Sequence, residues 1–215
     1  MIRNLLIYKE GFDKGMESAY NIREVKTMLI NNDTIIKDTD ERIRQISEDV
    51  SLPLSAEDEA LLRDMYQYVI DSTDEEKAEK FNLRPAVGIS AIQVGVPKKM
   101  TAVVVDDQDK NGNPIRYEFM LVNPKIVSSS IQKAYLSAGE GCLSVAEDHK
   151  GHVVRSARVK VRAYDLLRDQ NIEIKAAGYL AIVLQHELDH FKGKLFYDHI
   201  DPKDPFKEVP GAIEI

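Results

Sequence analysis

The chain has a single cysteine, Cys142, so no disulfide can form within it, and that thiol is core filler, a reactive nucleophile or a metal ligand. Nothing approaches the roughly 18 consecutive apolar residues that a membrane-crossing helix needs. The one N-terminal apolar patch, Leu5-Leu6-Ile7, meets Lys9 and Glu10 at once, and no small-residue cleavage site follows, so no signal peptide is expected. Positive charge is short as well: 29 Lys and Arg stand against 36 Asp and Glu, a net charge of −7. That deficit argues against a nucleic-acid surface as the main purpose. There are no internal repeats and no low-complexity linkers. With 43% apolar and 30% charged residues in 215, the composition is that of one soluble globular unit with room for one core. The expectation is a single domain over residues 1–215, cytoplasmic, with residues 1–20 an unexplained N-terminal extension.

The pattern of apolar residues divides what is there. Residues 1–54 are mixed and polar, with turn signals at Asn31-Asn32-Asp33 and at Pro53. Ser55 is a suitable cap for a helix in which Leu61, Leu62, Met65, Val69 and Ile70 form an apolar stripe. A shorter helix is expected from Glu75 to Lys80. Strands follow from about Pro85 to Ala176. Thr101 to Val105 is a compact β-branched run, Asp106 to Pro114 reads as a polar loop, and Tyr117 to Val122 resumes as a strand. Val159, Val161 and Ala163 alternate with Lys160 and Arg162, which gives that strand one buried face. After the turn at Asp169-Gln170-Asn171 comes Ile172 to Lys175, and then an apolar helix from Tyr179 to Phe191, with Gly193 placed to end it. Strands followed by one strongly apolar late helix predict an α+β fold.

Three segments carry chemistry. In Gln185-His186-Glu187-Leu188-Asp189-His190, the two histidines lie four apart on the late helix, about 40° apart around it and one turn along. His186 and His190 can therefore converge on one metal ion, with Glu187 beside them to handle protons. A third donor is needed. Metzincin-like spacing is followed as far as Gly193, but the expected histidine is Phe196, and His199 comes three residues too late. The second segment, Glu140-Gly141-Cys142-Leu143-Ser144, offers a thiolate that suits zinc or ferrous iron. The third, Val87-Gly88-Ile89-Ser90-Ala91-Ile92-Gln93, has small residues that permit close backbone approach, and Gln93 supplies an amide donor for a polarised carbonyl.

In this order and spacing, the three segments resemble the signature motifs of the peptide deformylases. The second and third match fully. In the first, Ala86 stands where the family usually has a glycine, and Ser90 and Ile92 replace commoner residues, while Gly88 and Gln93 are kept. The resemblance extends from about Asp38 to Pro205. The long insert between the first two motifs, with Phe119-Met120-Leu121-Val122-Asn123-Pro124, is similar to the branch typical of Gram-positive bacteria. It implies antiparallel sheets packed around a central C-terminal helix that carries the His-Glu-x-x-His motif, in a bacterial cytoplasmic enzyme that removes the formyl group from N-formyl-methionyl nascent peptides, with transient ribosome association, no membrane and no specific nucleic acid.

By residue type and by that resemblance, Cys142, His186 and His190 hold one divalent ion, ferrous iron in the cell, with zinc, nickel or cobalt able to replace it in purified protein. Glu187 is the implied acid–base group, and Gln93 with the backbone amide of Leu143 the implied oxyanion donors. The peptide would pair with the segment around Val87 and Gly88, its methionine entering a pocket of Val87, Tyr179, Ile182 and Val183. Glu140 is expected to be structural, with Arg155 as its partner. Two alternatives stay open from the residues alone. One is a metalloprotease, and the other is a binding module with a closed structural metal site, for which His149 or His152 would have to supply a fourth ligand.

Overall fold

The computed structural model describes residues 29–109 and 111–215. The patch at 5–7 and the unexplained extension over 1–20 lie outside the described residues. Helix α1 (Ala56–Ser72) starts where Ser55 Oγ accepts from the Asp58 amide at 3.1 Å, leaving fewer unsatisfied donors in its first turn. Helix α2 (Glu75–Phe81) is capped in the same way by Asp74 and closes on Asn82 in the left-handed conformation.

A five-stranded antiparallel sheet forms the middle of the molecule. Its strands are β1 (Gly88–Ser90), β2 (Met100–Gln108), β3 (Pro114–Ser129), β6 (Arg158–Asp165) and β7 (Gln170–Ala177), hydrogen-bonded in that order. Side chains of a strand alternate between faces, and β2 shows both being used. Ala102 and Val104 join Leu61, Leu62 and Met65 of α1 in one core. Val103 and Val105 join Val159, Val161, Ile174 and the late helix α3 (Gly178–His190) in another. A strand buried on both faces is apolar throughout, which is why Thr101 to Val105 shows no alternation in sequence. Strand β6 buries Val159, Val161, Ala163 and Asp165 on one side, as its alternating pattern predicts.

Two expectations shift in detail, and one sheet was not anticipated. The polar loop expected over Asp106 to Pro114 shrinks to residues 109–113, because β2 and β3 stay paired as far as Gln108 and Pro114. Arg116 bridges to Asp106 at 2.9 Å across the strands, so charge there stabilises an exposed ladder rather than breaking it. A second sheet, of β4 (Lys133–Tyr135), β5 (Arg155–Ser156) and β8 (Ile213–Glu214), has strands too short to leave a periodic signal. Helix α3 ends at His190 with Phe191 as its cap, and Gly193 lies beyond it. At Gly193 φ is +65°, and a Cβ there would stand 2.1 Å from the carbonyl oxygen of Arg44, so this glycine is required by close approach as well as by conformation. Among the described residues no helix is long and apolar enough to cross a membrane.

Candidate active site

Helix α3 runs between the two sheets and brings its second half to the chemistry. Gln185 anchors it: its Oε1 accepts from the Ser156 amide and its Nε2 donates to the Ser156 carbonyl, both at 2.9 Å. His186, the next residue, and His190, one turn beyond it, face the loop that carries Cys142. The ligand atoms of Cys142, His186 and His190 all lie within 4.8 Å of one another. His190 Nε2 is 3.5 Å from Cys142 Sγ. His186 Nδ1 is 2.8 Å from Glu140 Oε2, which fixes the ring and leaves Nε2 for the cluster. Burial opposes the proton on His186, but Cys142 and Glu140 outweigh it and carry its pKa up to about 10. Burial and the neighbouring His186 push His190 well below its ordinary value. One thiolate and two imidazoles, converging at this spacing, fit a single divalent transition-metal ion.

A buried chain of charge supports these ligands. Arg155 meets Glu140 through Nε at 2.5 Å and Nη2 at 2.9 Å, and Asp189 through Nη1 at 2.9 Å. Asp189 in turn meets His199 Nε2 at 2.7 Å. Burial alone would raise both carboxyls. His186 and Arg155 hold Glu140 below its usual value, and His199 and Arg155 hold Asp189 well below. The expected Glu140–Arg155 pair is present, and it extends further than the sequence indicated. Phe196, where a metzincin would have its third histidine, stacks on the His186 ring at 6.3 Å. His149 stacks on Tyr197 and His152 on Tyr135, and neither belongs to the cluster found among the described residues.

Glu187 is buried beside the cluster, and its two oxygens have different surroundings. Oε2 accepts from Ser90 Oγ at 2.7 Å and lies 3.3 Å from Thr101 Oγ1. Oε1 points at Gly88, where a Cβ would stand only 2.5 Å away. Gly88 therefore leaves room for the carboxylate, which is the physical content of a glycine in that motif. Burial pushes the Glu187 carboxyl up, more than His186 and the Ser90 hydroxyl draw it down. A carboxylate raised in this way is suited to taking and returning a proton. Gln93 is fixed at one end by the Ser90 amide, 2.8 Å from Oε1, while its Nε2 lies 3.2 Å from Ser144 Oγ and 3.5 Å from Cys142 Sγ.

These groups share one cleft of about 310 Å³, lined by Val87, Gly88, Gln93, Cys142, Leu143, Tyr179, Ile182, Val183, His186 and Glu187, with Leu136 and Glu140 among its other walls. Every candidate residue of the sequence reading lines it except His190, which lies behind, 1% exposed. Strand β1 is an edge of the five-stranded sheet and forms one rim. The contacts of Ser90 and Thr101 with Glu187 were not expected from the sequence. The only available signal was that Ser90 replaces a commoner residue, because its contact with Glu187 spans 97 positions.

The family model described as polypeptide deformylase matches residues 32–206. The chain is 44% identical over 187 residues to peptide deformylase 2 of Bacillus subtilis, covering 87% of this chain and 99% of that protein. Identity to a peptide deformylase of Staphylococcus epidermidis is also 44%, over 87% of this chain and all of that one. Among solved structures, the Met-Ala-Ser-bound class I type b peptide deformylase of Acinetobacter baumannii superposes with a TM-score of 0.60 at 26% identity, covering 81% of this chain and 100% of that one. The Ehrlichia chaffeensis enzyme gives 0.61 at 30% identity, over 79% and 88% of the two chains.

Proposed function

Since the chain belongs to the polypeptide deformylase family, in its Gram-positive-type branch, and so removes the N-formyl group from nascent polypeptides, we propose a residue-level account of that hydrolysis. The observation that carries it is the convergence of Cys142, His186 and His190 beside Glu187 and Gln93 in a single cleft.

On this reading Cys142, His186 and His190 hold one divalent ion, ferrous iron in the cell, with zinc, nickel or cobalt able to occupy the same donors. When bound, the ion supplies Lewis acidity and lowers the pKa of a water at the site. Glu187 takes the water proton at Oε1, the oxygen that Gly88 leaves uncovered, while Ser90 and Thr101 hold Oε2 still. As water adds to the formyl carbon, negative charge grows on the formyl oxygen, and Gln93 Nε2 and the Leu143 amide donate hydrogen bonds to it. The C–N bond then breaks. Glu187 returns its proton to the departing amine, so that formate and a free N-terminal methionine result.

The peptide binds by adding a strand to the open edge of β1, with its methionine side chain between Val87, Tyr179, Ile182 and Val183. Support comes from the edge position of β1 and from the apolar wall these residues give the cleft. The product-like tripeptide named with the Acinetobacter baumannii structure fits the same reading. Residues 1–215 are read as one catalytic domain working in the bacterial cytoplasm, in transient contact with the ribosomes that present its substrate. The test is formate release from formyl-Met-Ala-Ser by anaerobically purified protein, with unformylated casein beside it. Formate with intact casein is expected. Casein cleavage without formate would instead favour a metalloprotease.

A further inference from the structure

The turn from Cys142 to Val145 has every one of its four carbonyls held by a donor. Cys142 O accepts from the Val145 amide at 3.2 Å, and Ser144 O from the Asp38 amide at 2.7 Å. Leu143 O accepts from Lys37 Nζ at 2.9 Å, and Val145 O from Arg84 Nη1 at 2.9 Å. The N–H and C=O of a trans peptide point in opposite directions. Binding Cys142 O inside the turn therefore aims the Leu143 amide outward, and among the described residues no hydrogen bond takes that amide up. The same short segment also reaches the other oxyanion donor, because the Ile36 amide donates to Gln93 O at 2.8 Å.

Lys37 is the unusual member of this set. Its two hydrogen-bond acceptors, Leu143 O and Asn32 Oδ1 at 2.9 Å, are both uncharged. Burial and the like charge of Arg84 lower its pKa, with opposing help from Cys142, Asp33 and Asp38. A desolvated ammonium is costly to keep, and a surface position would avoid that cost. Its position sets two things at once. The hydrogen bond fixes the peptide plane after Leu143, and it brings the charge to the carbonyl of a residue that lines the cleft, while Lys37 itself is not among the lining residues.

We propose that Lys37 is a positioning residue for the oxyanion site, holding the Cys142–Val145 turn so that the Leu143 amide faces the formyl oxygen and placing a positive charge behind it. This rests on the oxyanion role given above to Leu143 and Gln93. Lys37 lies 106 positions from Leu143 and outside all three motifs. Positive charge fixed behind a donor strengthens it where charge develops, so the effect belongs to the transition state rather than to peptide binding.

The experiment is steady-state kinetics on formyl-Met-Ala-Ser with metal-loaded wild type, Lys37→Met, Lys37→Arg and Gln93→Leu, with metal content and Tm measured on each. Lys37→Met should keep its metal and lower kcat by roughly tenfold or more while KM stays within about twofold. Lys37→Arg, which keeps donor and charge, should recover kcat to within about threefold. A wild-type kcat in Lys37→Met overturns the proposal, as does a loss that falls on KM or that Lys37→Arg shares in full. Should Lys37→Met fail to fold, Lys37→Gln replaces it, and a wild-type kcat in that uncharged variant overturns the proposal equally. An unchanged kcat in Gln93→Leu as well would mean that the oxyanion site is misplaced. With kcat reduced in Gln93→Leu alone, the fault lies with Lys37.

Discussion

At the scale of single residues, the proposed chemistry turns on one carboxylate whose two oxygens have different surroundings. Ser90 and Thr101 hold Oε2 of Glu187, and Gly88 clears the way to Oε1. Glu187 is a neighbour of the ligand cluster and not a member of it. Glu187→Gln should therefore retain a full complement of metal and lose kcat by the ~10²–10⁴-fold of a missing acid–base group. Metal analysis alongside kinetics checks this, and loss of the ion with the activity would show that Glu187 had been a ligand. The two histidines of the cluster were legible because helical spacing is local. Thr101 was not, because its contact with Glu187 crosses 86 positions and no local pattern encodes such a distance. Gly88 was legible as a small residue, but the reason for it, a carboxylate 2.5 Å from its missing Cβ, needed the fold.

At the scale of elements, α3 and the turn after it decide whether the ligands meet. Leu180, Ala181, Val183 and Leu184 in the apolar half of α3 are buried against β6 and β7, while Ile182 packs with Ala134 and Ala157, and each large aliphatic so buried contributes about 1.5–3 kcal/mol. Its exit is set at Gly193, where φ is +65° and Arg44 O fills the space of a side chain. Gly193→Ala should destabilise the protein by about 2 kcal/mol or more, since both strain and overlap oppose it. Urea unfolding with metal bound measures this, and an unchanged midpoint would mean that the chain after α3 relaxes freely. Helices α1 and α3 were legible because their apolar stripes run for several turns. Strands β4, β5 and β8 were not, since two or three residues hold no period, and their pairing partners lie far along the chain. The loop expected from Asp106 to Pro114 was overdrawn because polarity was read as absence of structure, where Arg116 and Asp106 in fact pair across a ladder.

At the scale of the whole molecule, the cluster proposed to hold the ion draws on distant parts of the chain, with Cys142 on a loop and both histidines on α3. The ion should act as a cross-link between them. A ligand bound only by the folded state raises stability by RT ln(1 + [L]/Kd), about 4 kcal/mol at a thousandfold excess over Kd. Chelation should lower Tm of wild type, and Cys142→Ala should bind far less than one ion per chain and respond little to the chelator. Scanning calorimetry with and without chelator decides this, and a full equivalent of metal in Cys142→Ala would dismantle the ligand set. The general architecture was legible, because composition, the β-branched runs and one apolar late helix suffice for an α+β fold. The order of strands was not, since pairing of β3 with β6 across the intervening small sheet leaves no trace in local sequence.

The central claim is that this cleft selects a formyl group. Formyl and acetyl differ by one methyl on the carbon that, on the proposed account, lies among the ion, Gln93 and Leu143, beside the buried carboxylate of Glu187. The most direct measurement is kcat/KM for formyl-Met-Ala-Ser against acetyl-Met-Ala-Ser, with anaerobically prepared enzyme at equal metal content. The expected result is a preference for formyl of well over tenfold, more than about 1.4 kcal/mol in the transition state. Equal values for the two peptides would contradict the assignment.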